Sequence, residues 1–154
     1  IYRVNAQTHQ MTVVQNGSVL RTIPITTGKP GFTTRSGVKV IIEKFRTKRM
    51  NSETVGIAES DPEYYDIDDV EYAMRVTYSG EFIHAAPWSV GSQGYANVSH
   101  GCTGMSTANA GWLYSFSKRG DVVEYTGTDR YMDLTNGYGD WNLPFRDYRD
   151  GSAL

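Results

Sequence analysis

A mainly-β domain, two packed sheets with one capping helix, is what this chain of 154 residues predicts. Three observations carry the prediction. Eleven Tyr and sixteen Gly, with many Val, Thr and Ile, favour strands and turns over helices. Short strand-like stretches follow one another, each bounded by turn formers. Only one late stretch has both a helix start and a helix stop, and a further strand follows it.

Residues 1–8 alternate weakly. Gln10 to Gln15 then reads as a strand, and Asn16-Gly17 is a hairpin signal because both residues tolerate positive φ. Val19 to Ile25 is the return strand. Its Pro24 donates no ladder hydrogen bond and suggests an edge or a bulge. Residues 27–34 form a loop, and Gly37 to Lys44 reads as one strand with few polar interruptions. From 45 to about 70 no period is sustained; the stretch is polar and charged and reads as a flap with some internal strand structure. Ala73 to Tyr78 and Glu81 to Ala85 are the next strands, separated by a Ser79-Gly80 turn. A loop runs from Pro87 to Val98. Ser106 or Thr107 caps a helix over 108–117, which Gly120 would stop after Lys118 and Arg119 in the last turn. Asp121 to Thr126 closes the set. The reading divides the chain into a body, 1–126, and a tail, 127–154, which Trp141, Leu143, Pro144 and Phe145 would anchor to it.

The formal net charge is −2, which argues against nucleic acid as the main partner. No run of eighteen apolar residues offers a membrane span. The chain begins at Ile1 and reads as a mature or trimmed fragment, so an export signal or anchor would lie upstream. Seven acids lie between Glu59 and Glu71. They read first as a solvated loop; the functional alternative is a lid or rim that meets a cationic group.

The single cysteine sits in Ser99-His100-Gly101-Cys102-Thr103-Gly104, with His84 eighteen residues upstream of Cys102. One Cys forms no intramolecular disulfide. A thiol beside Gly and Ser with imidazoles nearby is the layout of a cysteine nucleophile and its base. A free thiol has a pKa near 8.5, and a neighbouring imidazole raises its reactivity by accepting the proton. His84 falls near a strand end, where a rigid scaffold aims a side chain into a cleft. The amides around Gly101 and Cys102 could form an oxyanion hole, each donor worth roughly 3 kcal/mol. Together these are the parts for acyl transfer. The bland alternative is an inert, buried Cys, but the flanking residues make a poor core sequence. Zinc ligation by His84, His100 and Cys102 is a rival that lacks the usual ligand spacing. His100, two residues from Cys102, reads as a brace for the loop, with tuning of the thiol as the alternative. His9 reads as a surface residue. Trp88 reads equally as a packed aromatic at a loop base. Trp112, Tyr114 and Phe116 read as helix-face packing.

At Ser99-His100-Gly101-Cys102 the chain resembles the L,D-transpeptidase catalytic domain, the YkuD family, and in particular its actinobacterial members. The stretches from His84 to Gly91, from Lys118 to Val123 and from Gly139 to Pro144 carry the same resemblance. So does Lys48-Arg49-Met50-Asn51-Ser52, which is similar to the start of the family's flap. The resemblance implies a β-sandwich-like catalytic domain with an active-site flap, working outside the cytoplasm on peptidoglycan stem peptides without a metal or cofactor. Cys102 would attack the carbonyl of the third stem residue and release terminal D-Ala, and an amine from a neighbouring stem would take the acyl group. Water as acceptor would make an L,D-carboxypeptidase; a dead site would leave a wall-binding module. Carbapenem-type β-lactams would be the inhibitor class. By the same match His84 is the base, the carbonyl of Ala85 orients its ring, and the amides of Gly101 and Cys102 hold the oxyanion. Ser79 and Gly80 would contact the donor, Trp88 and Asn97 would shape the pocket, and Tyr64 or Tyr65 on the flap would close over it. Two departures stand out: Gly104 where many members carry Asn, and Ala85 where many carry Ser.

Overall fold

The computed structural model describes residues 1–139, 142–144 and 147. Its described elements form a sandwich of two sheets with a helix packed on it. The first sheet contains β1 (Tyr2–Asn5), β2 (Gln10–Gln15), β3 (Ser18–Pro24), β4 (Gly37–Val40) and β9 (Val122–Thr126), in the order β3-β2-β1-β9-β4. The second contains β5 (Glu43–Asn51), β6 (Asp66–Arg75), β7 (Phe82–Ala85) and β8 (Thr103–Met105), in that order. Helix α1 (Thr107–Phe116) packs on β6 and β7. The two-sheet, one-helix architecture is the one the sequence predicts.

Local chemistry explains the elements. Asn16 and Gly17 take φ of 51° and 78°, turning β2 into β3. Pro24 ends β3, which is an edge strand. Ser106 is the helix N-cap: its hydroxyl accepts from the Asn109 amide. Along β1 and β2 alternate residues Tyr2, Val4, Met11 and Val13 are buried, and they meet Ile83, Met105 and Leu113 from the other layer in one core.

Four expectations need correction. The apolar run from Gly37 to Lys44 is not one strand. It breaks at Ile41-Ile42, where the chain leaves the first sheet for the second: the Ile41 amide donates to Asp121 O and the Ile42 amide to Arg75 O. Both isoleucines are buried, so hydropathy carries no mark of the crossing. Secondly, most of the stretch from 45 to 70 is a long β5–β6 hairpin; the flap is its tip, about 52–65, and starts with a 3₁₀ turn at Ser52–Val55. The hairpin is masked by charge. Arg46 and Lys48 project from the edge strand β5 and lie over the rings of Tyr72 and Phe45. Thirdly, α1 stops at Phe116, before Lys118 and Arg119. The cation at its C-terminus is Lys44 from β5, whose ammonium donates to the carbonyls of Tyr114 and Ser117 at 2.5 and 2.6 Å. Fourthly, His9 is half-buried and its Nδ1 lies 2.9 Å from Asn97 Oδ1.

Beyond β9 the chain returns across the body. Asn142 bonds both backbone groups of Val38, and Asn136 bonds the amide and hydroxyl of Ser79. Leu143 and Pro144 are described; Trp141 and Phe145 lie outside the described residues.

Candidate active site

Parallel pairing of β7 and β8 builds the centre of the site. His84 stands opposite Gly104, and Ile83 opposite Thr103. Successive side chains alternate faces, so Cys102, two residues before Gly104, shares the face of His84. Both line one cavity of about 250 Å³ together with Tyr65, Trp88, His100 and Gly104.

His84 is 6% exposed, and its Nδ1 lies 2.7 Å from the carbonyl oxygen of Ala85. A carbonyl only accepts, so Nδ1 carries the proton and Nε2 keeps its lone pair. Burial pushes the imidazole below its ordinary pKa, and the bond to Ala85 offsets part of that. Cys102 is half-buried with Sγ 3.7 Å from Gly80 O. Burial pushes its thiol up to about 12, with the Glu81 carboxylate adding to the rise. A backbone hydrogen bond from Phe82 and the cations Lys39 and Arg75 pull the other way. At neutral pH the resting pair is therefore a thiol and a neutral imidazole.

The loop bearing the thiol is held from both ends. Ser99 Oγ donates to Cys102 O at 2.6 Å and accepts from the Gly101 amide at 3.1 Å. Thr34 Oγ1 donates to Gly101 O and accepts from the Gly28 amide. Gly101 has φ of 121°, a conformation open to glycine. The Gly101 amide thus points at Ser99 rather than into the cavity, and Cys102's own amide is the remaining member of the expected pair of oxyanion donors.

His100 is held by the flap. Its Nε2 lies 2.8 Å from Glu63 Oε2, which also accepts from Lys29 Nζ at 2.7 Å. The His100 ring sits between Phe32 and Tyr65, each with its centroid 4.8 Å away. Tyr65 is the flap tyrosine at the thiol. Burial raises its pKa to about 12, with the nearby Cys102 contributing. Tyr64 lines neither cavity beside the thiol. Trp88 is 56% exposed at the cavity rim, its ring 5.8 Å from that of His84, so it is not packed into a loop base.

A second cavity of about 250 Å³ also reaches Cys102, lined by Ser79, Gly80, Phe82, Lys48 and Arg75. Met50 and Tyr65 line both cavities and divide them. Asn97 is not brought to either one. Its oxygen accepts from the Thr27 amide and faces His9, and its amide nitrogen donates to Ala6 O, so it clips three segments together. Four of the seven acids of the run pair with cations outside it: Glu63, Asp66, Asp68 and Glu71 meet Lys29, Arg49 and Arg46. Among the described residues no cluster of three or more His, Cys, Asp or Glu could hold a metal.

Behind the thiol lies a charged cluster that the sequence reading missed. Lys39 is fully buried, with Nζ 2.7 Å from Glu81 Oε2 and 3.8 Å from the centre of the Tyr125 ring. Arg35 completes it through Glu81 Oε1 at 2.9 Å. The available signal was a lysine inside the strand Gly37–Val40 and an acid just ahead of the apolar run of β7.

The model of the YkuD family, the L,D-transpeptidase catalytic domain, matches residues 1–124. This chain belongs to that family. It is 40% identical over 144 residues to L,D-transpeptidase 2 of Mycobacterium tuberculosis, covering 93% of this chain and 35% of that protein. It is 47% identical over 119 residues to L,D-transpeptidase 1 of the same species, covering 77% and 47%. The chain thus spans between a third and a half of the curated relatives it matches. Among solved structures, an L,D-transpeptidase from Mycobacterium smegmatis superposes with a TM-score of 0.79 at 44% identity, over 82% of this chain and 58% of that one. The L,D-transpeptidase LdtMt1 in complex with imipenem gives 0.79 at 44% identity, over 81% and 57%. L,D-transpeptidase 3 of M. tuberculosis, solved with a faropenem-derived adduct, gives 0.76 at 32%, over 81% and 59%.

The two departures from the family pattern have local explanations. A Cβ at Gly104 would stand 2.9 Å from Ala86 Cβ and from Thr26 Oγ1, because Gly104 and Thr26 exchange backbone hydrogen bonds. At Ala85 the carbonyl meets His84, while the side chain is buried in the core.

Proposed function

We propose that this domain is a cysteine acyltransferase that cross-links peptidoglycan stem peptides through their third residues. The observation that carries the proposal is the shared cavity of Cys102 and His84, with the imidazole fixed in one tautomer by Ala85 O. As Cys102 Sγ attacks the third-residue carbonyl, His84 Nε2 takes the thiol proton, and a C–S bond forms. The oxyanion that develops is met by the Cys102 amide. Collapse breaks the C–N bond. The imidazolium gives its proton to the departing amine, D-Ala leaves, and a thioester remains. An acceptor amine then attacks the thioester, loses a proton to His84, and expels the thiol. The neutral resting pair suits this order, in which charge develops only while substrate excludes water.

Membership of the family supports the reaction class, and the relatives solved with imipenem and with a faropenem-derived adduct support β-lactams, carbapenems among them, as ligands of this site. Ser79, Gly80 and Tyr65 would contact the donor, Trp88 the rim, and His100 would hold the flap rather than move a proton. Cross-linking of an assembled wall takes place outside the cytoplasm, and the domain would work there.

The test is incubation with a stem tetrapeptide, with and without an acceptor stem, followed by mass spectrometry of products. A cross-linked dimer with loss of one D-Ala is expected. Tripeptide alone, whatever the acceptor, would replace the transferase by a carboxypeptidase. No turnover by folded protein, or full activity in Cys102→Ala, would overturn the proposal.

A further inference from the structure

The returning tail clasps the turn that lies beside the sulfur. Asn136 Oδ1 accepts from the Ser79 amide and Asn136 Nδ2 donates to Ser79 Oγ, both at 2.8 Å. Tyr138 sets its ring edge-on to that of Tyr78, with centroids 6.5 Å apart. Between them Gly137 runs so close to the end of β6 that a Cβ would stand 3.3 Å from Val76 O. The clasped turn carries Gly80, whose carbonyl meets Cys102 Sγ at 3.7 Å, and Ser79, Gly80 and Cys102 line one cavity. The family match ends at residue 124, so Asn136 lies beyond the matched span.

Hydrogen-bond polarity says what the clasp does. An amide N–H only donates, so the Asn136 atom facing the Ser79 amide is its oxygen, and the atom facing Ser79 Oγ is its nitrogen, a donor. Thr77 is fully buried. Its Oγ1 accepts from the Glu81 amide at 3.0 Å, and among the described residues the one acceptor for its own hydrogen is Ser79 Oγ, also at 3.0 Å. A buried hydroxyl hydrogen left unbonded is costly, so Thr77 donates to Ser79. Ser79 Oγ then accepts twice, from Asn136 and from Thr77, which fills both of its lone pairs. Its own proton is left over, on an exposed side chain at the wall of the cavity that holds the thiol. We infer that Asn136 is a positioning residue for acylation: it holds the Ser79–Gly80 turn at the sulfur and leaves the Ser79 proton free for a hydrogen bond to the incoming peptide. The inference rests on the proposed reaction at Cys102 and adds to it a residue that touches neither the sulfur nor the imidazole.

Two substitutions separate the parts of this role. Asn136→Ala removes both bonds to Ser79. Asn136→Asp keeps the shape, and at about pH 7 its carboxylate still accepts from the Ser79 amide. Its second oxygen only accepts, so the Ser79 proton turns to it and away from the cavity. Hydrogen exchange across residues 77–81 should rise in Asn136→Ala and stay at the wild-type level in Asn136→Asp. Single-turnover acylation by a stem tetrapeptide, followed by intact mass, should slow about five- to tenfold in Asn136→Asp, the scale of one hydrogen bond. That rate should match Ser79→Ala, and the double variant should be no slower than either, because both changes remove the same proton. A residue that only braced the fold would lose rate with the turn's protection and not with its polarity. Wild-type acylation by Asn136→Asp, additive losses in the double variant, or unchanged exchange in Asn136→Ala would each overturn the inference. If folded wild type is never acylated, the acyltransferase reading falls by itself, and titration of the same peptide against Cys102→Ala protein still tests the clasp. Adding Asn136→Asp should weaken that Kd by the same five- to tenfold or so; an unchanged Kd overturns the inference.

Discussion

Lys39→Met should cost stability and make the thiol harder to ionise. Lys39 is fully buried with its ammonium 2.7 Å from Glu81, and its charge pulls the Cys102 thiol down while Glu81 pushes it up. Removing one partner of a buried pair costs about 3–5 kcal/mol, because the other charge is left uncompensated. Here Glu81 keeps the Arg35 guanidinium at 2.9 Å and the Arg35 amide at 3.1 Å. The loss should therefore sit at the lower end, about 3 kcal/mol. In a domain of this size that lowers Tm by roughly 6–12 °C. Urea denaturation followed by Trp fluorescence measures the first effect. The second is read from the alkylation rate of Cys102 by a small iodo-amide at about pH 8.5, where the rate follows the thiolate fraction. Lys39→Met should slow alkylation and Glu81→Gln should speed it, since the two charges act on the sulfur with opposite signs. A Lys39→Met variant within about 0.5 kcal/mol of wild type, the range of ordinary surface changes, or movement of both alkylation rates in one direction, would refute the reasoning.

Three further outcomes follow. The acid limb of the acylation rate should lie below the ordinary imidazole value of about 6.5, because burial holds His84 below it. The folded protein then binds fewer protons than the unfolded chain in that window, so stability contributed by neutral His84 is present above about pH 6.5 and declines as pH falls beneath it. His84→Gln should cut acylation by about 10² or more and remove that limb; an acid limb at or above 6.5 contradicts the assignment. Glu63→Gln removes a charge that Lys29 and His100 share, so hydrogen exchange across residues 52–65 and labelling of Cys102 by bulky thiol reagents should both rise. Unchanged exchange would show that the flap is held by other contacts. Gly104→Asn should destabilise by about 1–3 kcal/mol through crowding against Ala86 and Thr26, and a neutral effect in a denaturation curve would mean that this segment yields easily.

What the sequence makes legible is local. Asn16-Gly17 turns the chain by its own φ preference, and Ser106 caps α1 with its own hydroxyl. The approach of His84 and Cys102 needs only strand alternation and one parallel pairing. What stays hidden is settled by tertiary neighbours. Ile41 and Ile42 are equally apolar in either sheet, so the crossing between sheets leaves no trace in hydropathy. The β5–β6 hairpin carries charge along both strands because its cations lie on aromatic faces and beside its own acids. Lys39 and Glu81 read as ordinary polar interruptions until the fold buries them against each other. The family resemblance implies a pocket wall for Asn97, yet its polar atoms are spent on Ala6, His9 and Thr27. The flap tyrosine is a similar case. Tyr64 and Tyr65 are adjacent, and only the course of the hairpin decides that Tyr65 lies against His100.

The intact mass of the protein after brief exposure to a stem tetrapeptide tests the central claim most directly. The account predicts a mass gain equal to the peptide less one free D-Ala, mapped to Cys102, absent in Cys102→Ala and strongly diminished in His84→Gln. Folded wild-type protein that gains no mass, or that gains it on any side chain other than Cys102, would contradict it.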